Sequence, residues 1–283
     1  MKNILVTGAN GQLGNEMRVL SLENKEYNYF FTDVAELDIC DEKAVMAFVK
    51  ENEIDVIVNC AAYTAVDKAE DNQELCAKLN SEAVGYLAKA AEENQAEFIQ
   101  ISTDYVFDGT NYVPYRETEP TCPNSVYGVT KLAGEKKALE YCSKVMIIRT
   151  AWLYSVFGNN FVKTMLRLGK ERDQVNVVCD QIGSPTYTAD LAPLLCDMVM
   201  TEKYGIYHAT NEGICSWADF AAEIFRQGGC RAKMHPIPSS EYPAKAARPF
   251  NSRMSKKSLD EAGFSRLPSW QDALTRYLKE IQD

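Results

Sequence analysis

The first half of this chain alternates short β-branched runs with longer amphipathic stretches, and this alternation constrains the fold more than any other feature. The short runs predict strands at Asn3–Thr7, Tyr27–Thr32, Val56–Asn59, Phe98–Ser102 and Val145–Thr150. The longer stretches carry apolar residues every three or four positions and predict helices at Gln12–Leu22, Asp41–Asn52, Gln73–Asn94 and Tyr127–Tyr141. Alternation of this kind is typical of βαβ units. We therefore expect an α/β fold with a doubly wound parallel sheet, covered by helices on both faces.

A glycine-rich turn separates the first predicted strand from the first predicted helix. Gly8 permits a tight turn, Gly11 leaves room for a pyrophosphate, and Gly14 lets the helix pack closely on the strand. The helix N-terminus favours such an anion because its free N–H groups and the helix dipole point toward it. A turn without a ligand is the alternative for glycines of this kind. Because a strand and a helix flank the turn, the sequence predicts a Rossmann-type dinucleotide site.

Other residues of the first half are candidates for contact with NADH or NADPH. Asp33 ends the second strand, where an acid can bond the ribose 2′-hydroxyl of NAD and repel the extra phosphate of NADP; a capping or loop aspartate is the alternative. Asp38 and Ile39 suit an adenine edge and face. The remaining candidates are Gln12 and Leu13 of the turn, Ala61, Ala62, Tyr63 and Thr64 after the third strand, and Ser102. For the segment after the third strand, ordinary tight packing is the alternative.

The second half of the chain differs from the first, because after Trp152 the predicted helices and strands are shorter and several prolines occur between them. No linker of biased composition separates the two halves. We expect residues 1–151 to form an NAD(P)-binding Rossmann domain. Residues 152–283 are expected to form mainly a smaller C-terminal substrate-binding lobe, with some segments returning to the Rossmann domain. Within that lobe, Ser216-x-x-Asp219 and Ser269-x-x-Asp272 predict capping boxes at two helix starts.

Charge and cysteine usage narrow the classes of partner. The formal net charge is −10, so long-range electrostatics disfavour nucleic acid and anionic membranes as partners. Nine cysteines at scattered spacing, without a Cys-x-x-Cys pair, predict a reduced chain in the cytoplasm. The apolar run at residues 4–6 is too short for a signal peptide or a membrane span. An anionic ligand of such a chain must be held by local donors.

A Tyr-x-x-x-Lys pair opens the fourth predicted helix and places Tyr127 and Lys131 on one face, one turn apart. Such pairs also occur by chance, but this one follows a strand that ends in Ser102 and Thr103. The carboxyl ends of parallel strands open onto the ligand crevice, so Thr103 is expected to face the same carbonyl as Tyr127. Lys131 is expected to bring the pKa of the phenol closer to neutrality. Tyr127, Lys131 and Thr103 are therefore the predicted catalytic residues, with backbone capping as the alternative for Ser102 and Thr103.

Together these motifs carry a resemblance that covers nearly the whole chain. The sequence resembles the extended short-chain dehydrogenase/reductases and, within them, the dTDP-4-dehydrorhamnose reductase family. The segments that carry the resemblance are Val6–Gly14, Asn59–Glu70, Ser102–Gly109, Tyr127–Lys131, Arg149–Tyr154, Asp180–Thr186 and Arg248–Arg253. The first and fourth segments are shared by many reductases, whereas the last three are typical of this family.

The resemblance implies a reaction and a role for several residues. A dTDP-linked 4-keto-6-deoxy sugar, dTDP-4-dehydro-L-rhamnose, would be reduced at C4 by NADPH or NADH to dTDP-L-rhamnose. Tyr127 would protonate the new alkoxide, and Thr103 and Asp104 would orient the sugar. Trp152 would pack on the sugar or the base, with a core position as the alternative. Arg248 would bind the pyrophosphate, with a surface position as the alternative.

Tyr105 and Glu16 bear on the choice between related chemistries. Related 4,6-dehydratases carry an Asp-Glu pair after the threonine, and here Tyr105 stands in place of that glutamate. The base needed to eliminate water is therefore missing, and Tyr105 is expected to contact substrate.

Some family members form homodimers linked by Mg²⁺ through glutamates. Glu16 is at a plausible position for this, but Ala189 stands where another acid is expected, and a solvated helix residue is the simpler interpretation. No His or Cys cluster predicts another metal.

Two other functions stay open for a chain with this pattern. The first is a non-catalytic regulatory subunit that keeps the nucleotide-binding fold, although intact Tyr127, Lys131 and Thr103 argue against it. The second is a nucleotide-sugar epimerase on the same scaffold, which would show no net consumption of NADH.

Overall fold

The computed structural model describes residues 1–282 as a mixed α/β chain. Its strands are β1 (Lys2–Thr7), β2 (Tyr27–Thr32), β3 (Val56–Asn59), β4 (Glu97–Thr103), β5 (Val145–Thr150), β6 (Leu153–Tyr154), β7 (Gln174–Val178), β8 (Ile182–Gly183), β9 (Thr186–Tyr187), β10 (Gly205–His208), β11 (Cys215–Ser216) and β12 (Lys233–Ile237). Its helices are α1 (Gln12–Glu23), α2 (Glu42–Glu51), α3 (Val66–Ala69), α4 (Gln73–Ala77), α5 (Ala83–Glu93), α6 (Val126–Tyr141), α7 (Phe161–Glu171), α8 (Thr188–Val199), α9 (Trp217–Gln227), α10 (Lys257–Ala262) and α11 (Trp270–Glu280). A π-helical turn covers Lys78–Glu82, and 3-10 turns cover Asp104–Val106 and Ser239–Glu241.

The central sheet is parallel, with the strand order β10-β5-β4-β3-β1-β2. The order reverses at β1, because β2 pairs with one of its edges and β3 with the other. In open α/β sheets the ligand crevice lies outside the carboxyl ends of the strands at such a reversal. The sequence-based bounds of β2, β3 and β5 are confirmed. The sixth strand, β10, was not predicted and comes from the second half of the chain.

Helices cover both faces of this sheet, as predicted, because successive strand residues are apolar and point to opposite sides. Ile4 and Val6 pack in one buried cluster with residues of α1, α8 and α10. Leu5 and Ile57 pack in a second buried cluster with residues of α2, α5 and α6. The predicted doubly wound α/β fold of the Rossmann type is therefore confirmed.

Side-chain caps fix where several helices begin. Ser216 and Asp219 form the predicted reciprocal capping box at the start of α9. At α11, the Ser269 hydroxyl accepts the Asp272 N–H at 3.3 Å, but the Asp272 carboxylate accepts from Arg276 instead of the cap residue. The second predicted box therefore forms only in part, because the carboxylate has a cationic partner one turn further along the helix.

The predicted helix Gln73–Asn94 is wrong as a single regular helix, because the π-helical turn separates α4 from α5. Asn80 in this turn accepts the backbone N–H of Tyr63 at 2.8 Å and donates to its carbonyl at 3.1 Å. A β-carbon placed on Gly134 of α6 would lie 2.1 Å from the Asn80 carbonyl oxygen. The wide turn thus lets α6 pack directly on backbone while the Asn80 side chain satisfies a neighbouring loop.

The second half of the chain adds short two-stranded pairings to the sheet. These are β7 with β12, β8 with β11, and β6 with β9. With α7, α9 and α11 they enclose a third buried cluster, in which Tyr154, Phe220 and Tyr277 contact one another or a shared neighbour. Among residues 1–282, no helix combines the length and apolar character needed to cross a membrane.

Candidate active site

A cavity of about 810 Å³ lies at the carboxyl edge of the sheet, between the glycine-rich turn and the first turns of α6. Among the residues predicted from the sequence, those that line it are Gly8, Gly11, Gln12, Leu13, Asp33, Ala61, Ala62, Thr64, Ser102, Thr103, Asp104, Tyr105, Tyr127, Lys131 and Trp152. The three catalytic candidates and most of the cofactor-binding candidates therefore surround one space.

The glycine-rich turn has the shape that a dinucleotide pyrophosphate needs. Gly8 has a φ of +63°, and a β-carbon there would lie 2.6 Å from the backbone of Ala61. A β-carbon on Gly14 would lie 2.4 Å from the Gly8 carbonyl oxygen, so only glycine lets α1 approach the turn. Gly11 caps α1 without a side-chain hydrogen bond, and the first turn of α1 carries no acid. The helix N-terminus is therefore free to bind an anion, and these residues fit the cofactor.

Asp33 has both of the features that the sequence left as alternatives. Its carboxylate accepts the backbone N–H groups of Asn10 at 3.1 Å and of Val34 at 2.8 Å, which is a loop-stabilising role. The residue also lines the cavity beyond the end of β2. A carboxylate that is held by two backbone donors keeps its position at the cavity rim.

Four other cofactor-binding candidates do not line the cavity. Ile39 is buried in the cluster beneath α2, where it packs on the sheet. Asp38 is exposed, and its carboxylate accepts the N–H of Cys40 at 2.9 Å. Tyr63 is held through its backbone by the π-helical turn, and Gly14 faces the glycine-rich turn. Their local sequence is explained by packing and turn geometry.

Ser102 is engaged by a buried ion pair. Its hydroxyl donates to Glu135 Oε1 at 2.5 Å. Arg149 donates to the same carboxylate, from Nε to Oε1 at 2.9 Å and from Nη2 to Oε2 at 2.7 Å. The side chains of Arg149 and Glu135 are only 3% and 2% exposed. This network joins β4, β5 and α6, and thereby fixes the helix that carries Tyr127 and Lys131 relative to the strand ends.

Asp104 is buried at the end of β4 and is held by two hydroxyl groups. Thr103 donates to its Oδ1 at 2.9 Å, and Ser252 donates to its Oδ2 at 2.5 Å. Burial raises the pKa of Asp104 to about 6, although both hydroxyl donors act in the opposite direction. A carboxyl group with such a pKa changes its charge near physiological pH.

Tyr127 and Lys131 lie within the cavity wall, where Lys131 is buried and Tyr127 is half-buried. Burial raises the pKa of the Tyr127 phenol above its ordinary value, while the hydroxyl of Thr103 acts to lower it. Burial lowers the pKa of Lys131 to about 8, against the opposing charge of Glu135. The Lys131 ammonium donates to the Ile101 carbonyl at 2.6 Å. The expectation that Lys131 brings the pKa of the phenol toward neutrality is wrong for this arrangement, because burial dominates the pKa of Tyr127 and Lys131 is not among the charges that shift it.

Trp152 lines the active-site cavity and stacks on Trp217, which also lines a second space of about 560 Å³. The two ring centroids are 3.7 Å apart, and the φ of Trp152 is +52°. Tyr105 lines both spaces as well, and Arg248 lines the second. The Trp152 side chain is therefore neither a fully buried core residue nor isolated on the surface, and the two spaces together can take a ligand of two parts.

Arg248 is half-buried and paired with Asp67 of α3. Its Nη1 and Nη2 donate to the two Asp67 oxygens at 3.0 and 2.8 Å. The same carboxylate accepts the N–H groups of Lys245 and Ala246, and these bonds together lower the pKa of Asp67. Asp67 thus holds the segment that carries Arg248 against the wall of the second space.

Glu16 lies inside the protein, so the expectation of a solvated helix residue is wrong. It is 6% exposed and accepts the hydroxyls of Ser155 at 2.7 Å and Thr188 at 3.1 Å. Burial raises its pKa. Within residues 1–282 no group of three or more His, Cys, Asp or Glu is arranged to hold a metal ion. One carboxylate with two hydroxyl donors does not fit Mg²⁺, which prefers several oxygen ligands in octahedral geometry.

Comparison with known proteins places this site in a family. The family model described as RmlD substrate binding domain matches residues 1–283. The chain belongs to the RmlD family. The dTDP-4-dehydrorhamnose reductase of Aggregatibacter actinomycetemcomitans is 40% identical over 97% of both chains. The resemblance to dTDP-4-dehydrorhamnose reductases is thereby confirmed.

Solved structures of RmlD-family proteins share the whole architecture. The dTDP-4-dehydrorhamnose reductase of Clostridium acetobutylicum is 44% identical, with a TM-score of 0.97 over 99% of this chain and 100% of that one. The enzyme of Bacillus anthracis, solved in complex with NADP, is 42% identical with a TM-score of 0.96 over the same shares. A UDP-glucose 4-epimerase of Thermus thermophilus has a TM-score of 0.83 at 17% identity, a likeness that concerns the fold alone.

The site of this RmlD-family chain includes residues that the sequence analysis missed. Glu135, Ser252 and Asp67 each hold a predicted residue in place, and Asn80 shapes the turn beside α6. A glutamate in an amphipathic helix is usually solvated, so Glu135 carried no signal. Ser252 lies within the Arg248–Arg253 segment and Asp67 within the Asn59–Glu70 segment, and both segments carried the resemblance, which was the usable pointer.

Proposed function

We propose that this chain reduces the C4 keto group of dTDP-4-dehydro-L-rhamnose with NADPH or NADH, giving dTDP-L-rhamnose. The observation that carries the proposal is that Tyr127, Thr103 and Lys131 line the same cavity as the glycine-rich turn. A carbonyl at that place meets a proton donor and a hydroxyl beside a dinucleotide cradle. The A. actinomycetemcomitans relative, 40% identical over nearly its full length, carries the name of this activity.

Tyr127 is the proton donor of the proposed reaction. The nicotinamide, when bound, supplies the hydride for C4. Burial keeps the phenol protonated at neutral pH, so Tyr127 holds the proton that the C4 oxygen needs as negative charge develops there. The single hydroxyl proton of Thr103 is donated to Asp104 in this structure, and we expect this hydroxyl to turn toward the same oxygen when the keto sugar binds. Lys131, whose ammonium donates to the Ile101 carbonyl, keeps a positive charge in the cavity wall below a pH of about 8.

The dinucleotide would be held by the chain's first half. The Gly8–Gly14 turn would take the pyrophosphate at the start of α1, with Ala61 and Ala62 against it. Asp33 at the cavity rim favours the free 2′-hydroxyl of NADH. The B. anthracis relative was solved with NADP, which favours the phosphorylated cofactor. Because the two observations point to different cofactors, the assay below includes both.

The sugar nucleotide would span the two spaces, with the 4-keto sugar beside Tyr127 and the dTDP part in the space lined by Arg248. The guanidinium supplies local positive charge in a chain of net charge −10. Most residues of the second space come from the second half of the chain. This supports a division into an NAD(P)-binding domain, residues 1–151, and a mainly substrate-binding lobe, residues 152–283. Asp104 and Tyr105 would border the sugar.

The proposal is tested by a coupled assay in which the keto sugar is generated in situ and oxidation of NADPH or NADH is followed by its absorbance. Tyr127→Phe removes only the proton donor, so kcat should fall at least about 100-fold while cofactor binding stays near that of the parent. Tyr154→Phe is the matched control, because Tyr154 is buried outside the cavity and its hydroxyl has no hydrogen-bond partner among residues 1–282. This control should keep full activity.

The same assay separates the alternative functions. A regulatory subunit would bind cofactor tightly and show no turnover with either cofactor. An epimerase would convert the sugar without net consumption of NADPH or NADH. Equal activity of Tyr127→Phe and the parent would contradict the role given to Tyr127. A homodimer and a cytoplasmic location stay predictions, and sedimentation velocity of the purified protein tests the first.

A further inference from the structure

A third cavity, of about 570 Å³, lies outside the two spaces of the proposed active site and shares no lining residue with them. We call it the basic cavity, because its charged lining residues are Arg116, Arg253, Lys256, Arg266 and a single acid, Glu212. Its charge is therefore opposite to the net charge of −10 that the chain carries. Such a local concentration of cations in an acidic protein attracts anions at short range.

Two of the four cations of the basic cavity are not neutralised by neighbouring acids. Arg116 and Arg253 make no ion pair among residues 1–282. Lys256 and Arg266 share Glu212, at 3.5 and 3.3 Å. Arg266 also pairs with Asp260, which is outside the lining. Two guanidinium groups therefore have their charge available to a ligand.

The backbone around the basic cavity is fixed before any ligand binds. Arg253 accepts the N–H of Tyr115 at 2.8 Å, and Tyr115 accepts the N–H of Ser255 at 2.8 Å. The Arg253 side chain donates to the Tyr112 carbonyl at 2.8 Å. On the facing wall, Glu212 donates through its N–H to Pro268 at 2.9 Å. A ligand that binds here does not have to order these loops, which lowers the entropic cost of binding.

The basic cavity also has a buried polar residue and an apolar rim. The Lys256 side chain is only 9% exposed, and burial lowers its pKa, so an anion beside it would stabilise the charged form. Val113 and Ile214 at the rim are 41% and 54% exposed. Exposed apolar side chains next to guanidinium groups suit a ligand with a flat organic part as well as phosphates.

We propose that the basic cavity binds a nucleoside polyphosphate, with its phosphates on Arg116, Arg253 and Arg266 and its base against Val113 and Ile214. The volume of about 570 Å³ is in the range of organic-ligand sites and is far larger than inorganic phosphate requires. Arg253 follows Ser252, which donates to Asp104, so the ligand would bind to the same segment that supports the proposed catalytic site. The inference does not depend on the proposed reaction.

The test is a calorimetric titration of ATP into the protein saturated with NADP⁺, which occupies the dinucleotide cradle. Arg116→Gln should weaken ATP binding about tenfold or more, because it removes charge-assisted hydrogen bonds. Arg231→Gln removes the same charge from an exposed arginine outside the basic cavity and should bind ATP like the parent. Arg248→Gln alters the proposed sugar-nucleotide space and should also leave ATP binding unchanged.

Three outcomes would overturn the inference. The parent could show no ATP binding at millimolar concentration. The loss could occur in Arg248→Gln but not in Arg116→Gln, which would place the ATP in the active-site spaces. Pyrophosphate could bind as tightly as ATP, which would remove the role of the apolar rim and hence the organic part of the ligand. Thermal melting of each variant without ATP checks that the folds are equally stable.

Discussion

Replacing Asp104 with Asn should change how stability depends on pH. The structure raises the pKa of this buried carboxyl from 3.8 to about 6. A shift of roughly two pKa units corresponds to about 3 kcal/mol between the charged and neutral forms. Because the folded pKa lies above the unfolded one, the stabilising contribution is present below pH 3.8 and is lost as pH rises through 6. Asn cannot ionise, so Asp104→Asn avoids this loss.

The measurement is the free energy of urea unfolding of the parent and of Asp104→Asn at several pH values between about 3.5 and about 7.5. The quantity compared is the difference between the two proteins at each pH, because the contributions of other titrating groups cancel in it. The variant should become more stable relative to the parent by up to about 3 kcal/mol as pH rises from about 4 to about 6. The difference should then stay constant. The Asn side chain keeps an oxygen that can accept one of the two hydroxyls that now donate to Asp104. Its amide N–H can donate to the oxygen of the other hydroxyl. A difference that does not change with pH would refute the assignment of a raised pKa.

Three further substitutions test residues that hold the proposed active site in its shape. Glu135→Gln should lower the free energy of unfolding by about 3 kcal/mol in urea denaturation, because it leaves a buried arginine without its counter-ion. Asp67→Asn should raise the KM for the sugar nucleotide about tenfold with an unchanged KM for cofactor, since Arg248 loses its anchor. Gly14→Ala should weaken NADPH binding in fluorescence titration through a backbone overlap, whereas Gly85→Ala, which meets only flexible side chains, should not.

The residues predicted from sequence were those whose roles depend on local pattern. The strands β2, β3 and β5 had their bounds predicted correctly because each is a short run rich in β-branched or aromatic residues. The glycine-rich turn was recognisable because its glycines recur at fixed spacing between a strand and a helix, and the steric limit at Gly14 acts within the turn itself. The strand β10 was missed, since a four-residue run that pairs only with β5 has little signal of its own.

The residues that sequence reasoning missed or misread depend on partners far along the chain. Glu16 was expected to be solvated, and its partners Ser155 and Thr188 lie 139 and 172 residues away. The π-helical turn at Asn80 depends on Tyr63 and on the close approach of α6. The pKa of Tyr127 was misjudged because desolvation is set by the assembled cavity, whereas the helical spacing shows only that Lys131 is near.

The acidic character of the chain is compatible with anionic ligands because charge acts locally in this protein. At physiological salt the screening length is about 8 Å, so the net charge of −10 hardly reaches into a cavity lined by fixed cations. Two cations near the active site are each positioned by a carboxylate, Arg149 by Glu135 and Arg248 by Asp67. The Arg149–Glu135 pair is buried and stabilises the fold, whereas Arg248 is partly exposed and can also bind a phosphate. An arginine whose carboxylate partner is buried, such as Arg149, therefore stabilises the fold. An arginine whose partner is exposed, such as Arg248, can also bind substrate.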